Sequence, residues 1–163
     1  MFGFPNPVNE KAARVVAGGV LLLSALTLIL SLAISSKWLW LSVVLAYGFF
    51  ARVLTGPKLS PLGQLATRVI APRLGPAKLV AGPPKRFAQS IGLVVTATTV
   101  IFVAVGLAGA AELFLGVMVV FATLESVFGL CVGCKIFGAL MNAGLIPAAT
   151  CEACANISLR AAH

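Results

Sequence analysis

The four cysteines of this chain fall in its last stretch, as Cys131-Val132-Gly133-Cys134 and Cys151-Glu152-Ala153-Cys154. Two such pairs, separated by sixteen residues, suit two chemistries. A tetrahedral metal ion, zinc first of all, takes two thiolates from each pair when the intervening segment folds back. A redox or sulfur-passing dithiol instead needs one thiol of depressed pKa and a resolving partner beside it. Free cysteines also pack as small hydrophobes, but unrelated packing residues would rarely arrange themselves as two Cys-x-x-Cys pairs.

The segment between the pairs decides whether the four sulfurs can meet. Lys135 to Ala143 reads as a helix, with Gly144 as its cap and Pro147 just beyond. Nine helical residues advance about 13 Å. The linker from Gly144 to Thr150 extends up to roughly 23 Å, so Cys151 can return to Cys134. Thr150 reads as an N-cap that would place Cys151 in a first helical turn, where the helix dipole favours a thiolate. Lys135 favours a thiolate at Cys134, and Glu152 opposes one at the second pair. Glu125 lies shortly before the first pair inside an apolar run, and an ionisable residue there is by default a functional candidate. It is a candidate proton partner for the thiols. The structural alternative is an ion pair with Arg52 or Arg14, expected at similar depth. His163, the one histidine, is given no role.

These residues must be positioned by elements that the composition already limits. Of 163 residues, 60% are hydrophobic and 10% charged, with a mean hydropathy of +1.08; a soluble domain carries roughly a quarter charged residues. The apolar runs are continuous, without the alternation of barrel strands, so spanning helices are expected. Four spans are predicted, at about 15–34, 38–54, 91–108 and 113–130, within a membrane domain over 1–130. A cysteine-containing tail occupies 131–163. The first run, Val15 to Ile34, would be about 30 Å long as helix, a bilayer core's thickness. A cleaved signal peptide is the alternative; the length of the run and the span that follows favour a retained helix. Asn9 is its expected N-cap, with Glu10 in the first turn. Trp38 and Trp40 at the first turn suit an interfacial belt, with simple helix packing as the alternative.

The formal charge is +8. Its cations are concentrated between spans and not in a soluble basic domain, which argues against nucleic acid as a partner. The loop 55–90 holds Lys58, Arg68, Arg73, Lys78, Lys85 and Arg86 and no acid. Within it Ser60-Pro61 reads as a cap and first helical residue. Leu62, Leu65, Ala66, Val69 and Ile70 then give one apolar face, the pattern of a short amphipathic helix on the membrane surface. It is read as a topological anchor without a ligand of its own, ahead of the alternative, a specific anionic-lipid or phosphate site. With the N-terminus inside, every Lys and Arg but Lys37 lies on the cytoplasmic side, so both termini are expected there.

FPNPVNE at Phe4 to Glu10, the basic stretch from GPKLSPLGQLATR through GPPKRFAQ, and ATLESVFGLCVGCK with GLIPAATCEAC together resemble the DUF4395 family of bacterial membrane proteins. The resemblance covers nearly the whole chain. It implies a small multi-helix protein of the bacterial cytoplasmic membrane, and association with thioredoxin-like or rhodanese-type sulfurtransferase partners.

The expectation is therefore an all-α integral membrane protein. Four spans form two antiparallel hairpins, accompanied by a cytoplasmic amphipathic helix and a short helical tail. Its chemistry is thiol–disulfide exchange or sulfur relay through Cys131, Cys134, Cys151 and Cys154, with Glu125 as proton partner. The alternative is a non-enzymatic scaffold whose four thiolates bind zinc. A transporter ranks third, because repeated broken helices and multiple intramembrane charges are missing. Substrate, electron acceptor and oligomeric state are not specified by these residues.

Overall fold

The computed structural model describes residues 4–151. Strand β1 (Val8–Asn9) leads into helix α1 (Glu10–Ala33), where the Asn9 side chain accepts the Lys11 N–H as N-cap. A 3-10 helix (Ser36–Leu41) runs directly into α2 (Ser42–Thr55). Ser60 caps α3 (Pro61–Leu65) by accepting the Gly63 N–H, with Pro61 at the first helical position as expected. One π turn (Ala66–Ile70) joins α3 to α4 (Ala71–Arg73). Strand β2 (Leu79–Val80) precedes α5 (Gly82–Ala104), α6 (Ala108–Ser126), α7 (Val132–Asn142) and a final 3-10 turn (Ala148–Cys151).

Four of these are long and apolar enough to cross a membrane: α1, the continuous helix Ser36–Thr55, α5 and α6. Helix α1 packs on α6, α2 on α5, and α5 on α6. The outer surface of this bundle is strongly apolar, while its interior mixes apolar side chains with small hydroxyls. Leu22, Leu32, Val94 and Leu113 are exposed, whereas Ser24, Thr27, Thr96 and Thr99 are completely buried. These inner hydroxyls donate to backbone carbonyls of their own helices, as Ser24 to Val20 at 2.7 Å and Thr96 to Gly92 at 2.8 Å. Small polar residues inside with large apolar ones outside is how helices pack when the solvent is lipid.

The two ends of the bundle differ. At one, Ser31 of α1 donates to Glu112 of α6 at 2.7 Å, and Trp38 and Trp40 are exposed around a buried Leu39. The exposure of both tryptophans fits an interfacial belt better than internal packing. At the other, basic end, Arg14 donates to the Ser126 and Val127 carbonyls, closing the C-terminus of α6 with a cation. The two short strands pair antiparallel there, Val8 with Val80 and Asn9 with Leu79, reinforced by a 2.7 Å ion pair between Lys78 and Glu10.

Three local expectations shift. The helix carrying the fourth apolar run spans Ala108–Ser126, and not 113–130. The helix carrying the third apolar run begins at Gly82, not near Ile91, with Pro83 and Pro84 in its first turn. Lys85 and Arg86 are therefore helical, and Lys85 is buried. Thr150 is not a helix N-cap: it lies within a 3-10 turn whose N–H bonds to the Pro147 carbonyl.

Candidate functional site

Helix α7 begins where the first cysteine pair lies. Cys131 is its N-cap: the backbone is extended there, and Sγ accepts the N–H of Cys134 at 3.4 Å. The Cys-x-x-Cys spacing thus does for a sulfur what Ser-x-x does for an oxygen, pointing it at the free amides of a first helical turn. Cys131 is buried, Cys134 half-buried, and both are free thiols.

Gly133 between them lets α7 lie close against α5. A Cβ at this position would stand 2.5 Å from the Ala88 Cα, which only glycine avoids. Phe87 of α5 and Phe137 of α7 complete the contact, their ring centroids 5.7 Å apart. The sulfurs are in this way fixed to the first turns of α5.

Those turns also hold the charges. Lys85 Nζ lies 2.8 Å from Glu125 Oε1, both side chains being mostly buried. The expected partners of Glu125 were Arg52 and Arg14, and neither contacts it. Arg14 serves the C-terminus of α6. Arg52 is buried over the Phe49 ring at 4.5 Å and donates to Gln89 at 2.8 Å and Ser60 at 3.2 Å. Helix α5 starts early enough to bring Lys85 alongside α6 instead. Gly82-Pro83-Pro84 is the signal that announces this, since proline favours a first helical turn.

Between α1, α2, α5, α6 and α7 lies a cleft of about 60 Å³, lined among others by Phe49, Gln89, Met118, Glu125, Cys131 and Val132. That is space for a few water molecules, and its polar groups give such waters partners. Glu125 and Cys131 face one cavity.

The thiols are electrostatically unequal. A hydrogen bond from the Cys134 thiol holds Cys131 below the ordinary thiol range, against opposition from burial and Glu125 and with help from Lys85 and the Cys134 N–H. The same bond pushes Cys134 up, and burial adds to that. Cys131 is therefore the more acidic thiol of the pair and Cys134 the less acidic, although Lys135 was expected to favour a thiolate at Cys134.

The residues of this arrangement fall within one recognised sequence family, described as Domain of unknown function (DUF4395), which matches residues 8–142. The chain belongs to the DUF4395 family. Everything from β1 to the end of α7 lies in the matched region, and so do Lys85, Glu125, Cys131 and Cys134. No curated protein and no solved structure matches this DUF4395 chain.

Of the five predicted site residues, Glu125, Cys131 and Cys134 come together. Cys151 ends the last 3-10 turn, while the contacts of its side chain, and Cys154 and His163 altogether, lie outside the described residues. Among the described residues no three Cys, His, Asp or Glu side chains form a metal-binding group. Cys131 and Cys134 would supply two thiolates of a tetrahedral zinc site, and the other two would have to come from Cys151 and Cys154. Lys85 is the participant that reading the sequence missed.

Proposed function

We propose that this DUF4395 protein is a membrane-bound thiol–disulfide exchange or sulfur-relay protein whose entry point is Cys131. The reading rests above all on one observation: the Cys131 sulfur caps α7 and faces the cleft that Glu125 also lines. The Cys131 thiolate attacks one sulfur of a partner's disulfide, forming a mixed disulfide and releasing the partner's other sulfur as thiolate. Cys134, once deprotonated, attacks the Cys131 sulfur. The second partner thiolate leaves, the Cys131–Cys134 disulfide remains, and two electrons have passed to the partner. Glu125 accepts the proton that Cys134 must lose, and the cleft waters carry it away.

If the incoming partner bears a persulfide, the same attack on its outer sulfur leaves a persulfide on Cys131 and a thiolate on the partner. No electrons are then required from outside. Cys151 and Cys154 are the receiving pair in either version, and a thioredoxin-like or rhodanese-type protein is the partner. The four long helices lie in a bacterial cytoplasmic membrane as two antiparallel hairpins, with both termini in the cytosol. Concentration of the basic residues at the end opposite Lys37 supports that orientation.

Anaerobic purification followed by metal analysis and thiol titration, before and after chelation, tests the proposal. Metal-free protein whose dithiols equilibrate with a thioredoxin-like protein is the expected result. One equivalent of zinc, with thiols appearing only after chelation, would replace the relay by a structural zinc scaffold.

A further inference from the structure

The segment from α3 to α4 offers a surface that the thiol chemistry does not use. Its inner face is built from small residues: Ala66 and Ala71 are buried, five positions apart, and the π turn between them keeps both on one side. An α-helical turn would carry the second alanine off that face. The same device leaves Thr67, Arg68 and Val69 consecutively exposed.

The depth of this segment is fixed by Leu62. Its side chain fills the notch at Gly19 of α1, where an added Cβ would meet Leu62 Cδ1 at 2.6 Å. Gly19 stands five residues beyond Arg14, the last cation before the apolar run of α1, or about 7.5 Å along the helix axis. That lies within the depth of roughly 5–10 Å at which amphipathic helices rest, between headgroups and acyl chains. Leu59, Leu65 and Val69 are exposed here beside Lys58, Arg68 and Arg73. Among the described residues no carboxylate pairs with any of these three cations. Apolar side chains at acyl depth with uncompensated cations beside them match one kind of molecule, with a hydrocarbon tail and an acidic head.

We infer that the α3–α4 platform is a binding surface for anionic phospholipid, with Arg68 and Arg73 on the phosphate-bearing headgroups and Leu65 and Val69 among the acyl chains. This inference needs the four long helices to be spans and is independent of the cysteines. Each basic side chain close to an acidic lipid surface contributes a factor of about five in binding, so neutralising two lowers affinity roughly 25-fold.

The test uses the full chain in neutral detergent, titrated separately with phosphatidylglycerol, phosphatidylcholine and inorganic phosphate, with binding read by native mass spectrometry. Phosphatidylglycerol is expected to bind well above phosphatidylcholine. R68Q/R73Q should lower that preference about 25-fold, while Lys37→Gln at the opposite end leaves it intact. Both arginines are exposed, and an unchanged elution profile of R68Q/R73Q controls for folding. Equal binding of the two lipids by the unmodified chain would overturn the inference. So would an R68Q/R73Q variant that keeps the preference, or displacement of phosphatidylglycerol by equimolar phosphate, which would leave a phosphate site without a lipid.

Discussion

Lys85 and Glu125 form a 2.8 Å ion pair that ties the first turns of α5 to the last turn of α6, and Cys131 lies within its electrostatic reach. Removing one partner leaves the other charged and buried, at a cost of about 3–5 kcal/mol. Lys85→Met should therefore lower folding yield and thermal stability sharply. Glu125→Gln keeps the shape and one hydrogen bond and should cost less. In K85M/E125L, with both charges replaced by apolar groups, most of the stability should return. Thermal unfolding of the purified variants measures this, and a double variant as unstable as K85M would show that the pair does more than compensate charge.

The functional reading of Glu125 is separable from the structural one. If the carboxylate serves as proton acceptor for Cys134, Glu125→Gln yields folded protein whose exchange with a partner disulfide is slowed at the resolving step. Mixed disulfide at Cys131 should then accumulate, visible by mass spectrometry. Reduced yield with normal exchange in the folded fraction would make Glu125 structural alone.

Reactivity of the cysteines should depend on pH in an ordered way. Because Cys131 is held below the ordinary thiol range and Cys134 above it, iodoacetamide at neutral pH should modify Cys131 first. The pH–rate curve for Cys131 should have its midpoint below that of a free thiol, about 8.5. Glu125 raises the Cys131 value and Lys85 lowers it, so Glu125→Gln should move the midpoint down and Lys85→Met move it up. Peptide mapping after timed alkylation reads all three curves.

Gly133 is where sequence, packing and reactivity meet. A methyl group there collides with the Ala88 backbone, so Gly133→Ala must push α7 away from α5, at about 1–3 kcal/mol. The effect should reach the chemistry: Cys131 loses part of the Lys85 field and its alkylation midpoint rises. An unchanged midpoint would mean that α7 keeps its seat by some other accommodation.

Ser60 carries two bonds at once, accepting from Gly63 N–H and from Arg52 Nη1, both at 3.2 Å. Ser60→Ala should cost about 1 kcal/mol through loss of the cap. Faster amide exchange is expected over residues 61–66, since the buried Arg52 loses a partner in the same step. Exchange confined to the region around Arg52 would assign the serine to the arginine and not to the helix.

How far these features could be read from the sequence follows from how local they are. Asn9 and Ser60 were visible as caps because a cap and the amide it accepts lie within three residues. The apolar runs were visible because lipid selects composition directly. The Cys-x-x-Cys pair announced itself for the same reason as the caps. The partner of Glu125 did not: Lys85 is one of six cations in a loop read as a topological anchor. Choosing it requires the register of α5 against α6. In spans that are apolar all round, periodicity does not encode that register. The depth of α3 escaped for a similar reason, because it depends on a notch at Gly19 distant in sequence from Leu62.

The pairing of Val8 with Val80 has a practical consequence. The stretch between α2 and α5 is held near its α5 end by the segment Val8–Asn9. An affinity tag or reporter inserted close to Phe4 would pull on a clasp, and the disturbance would surface at Arg68 of the π turn and Arg73 of α4. A handle placed near Gly106, at the other pole of the bundle, would leave that clasp shut.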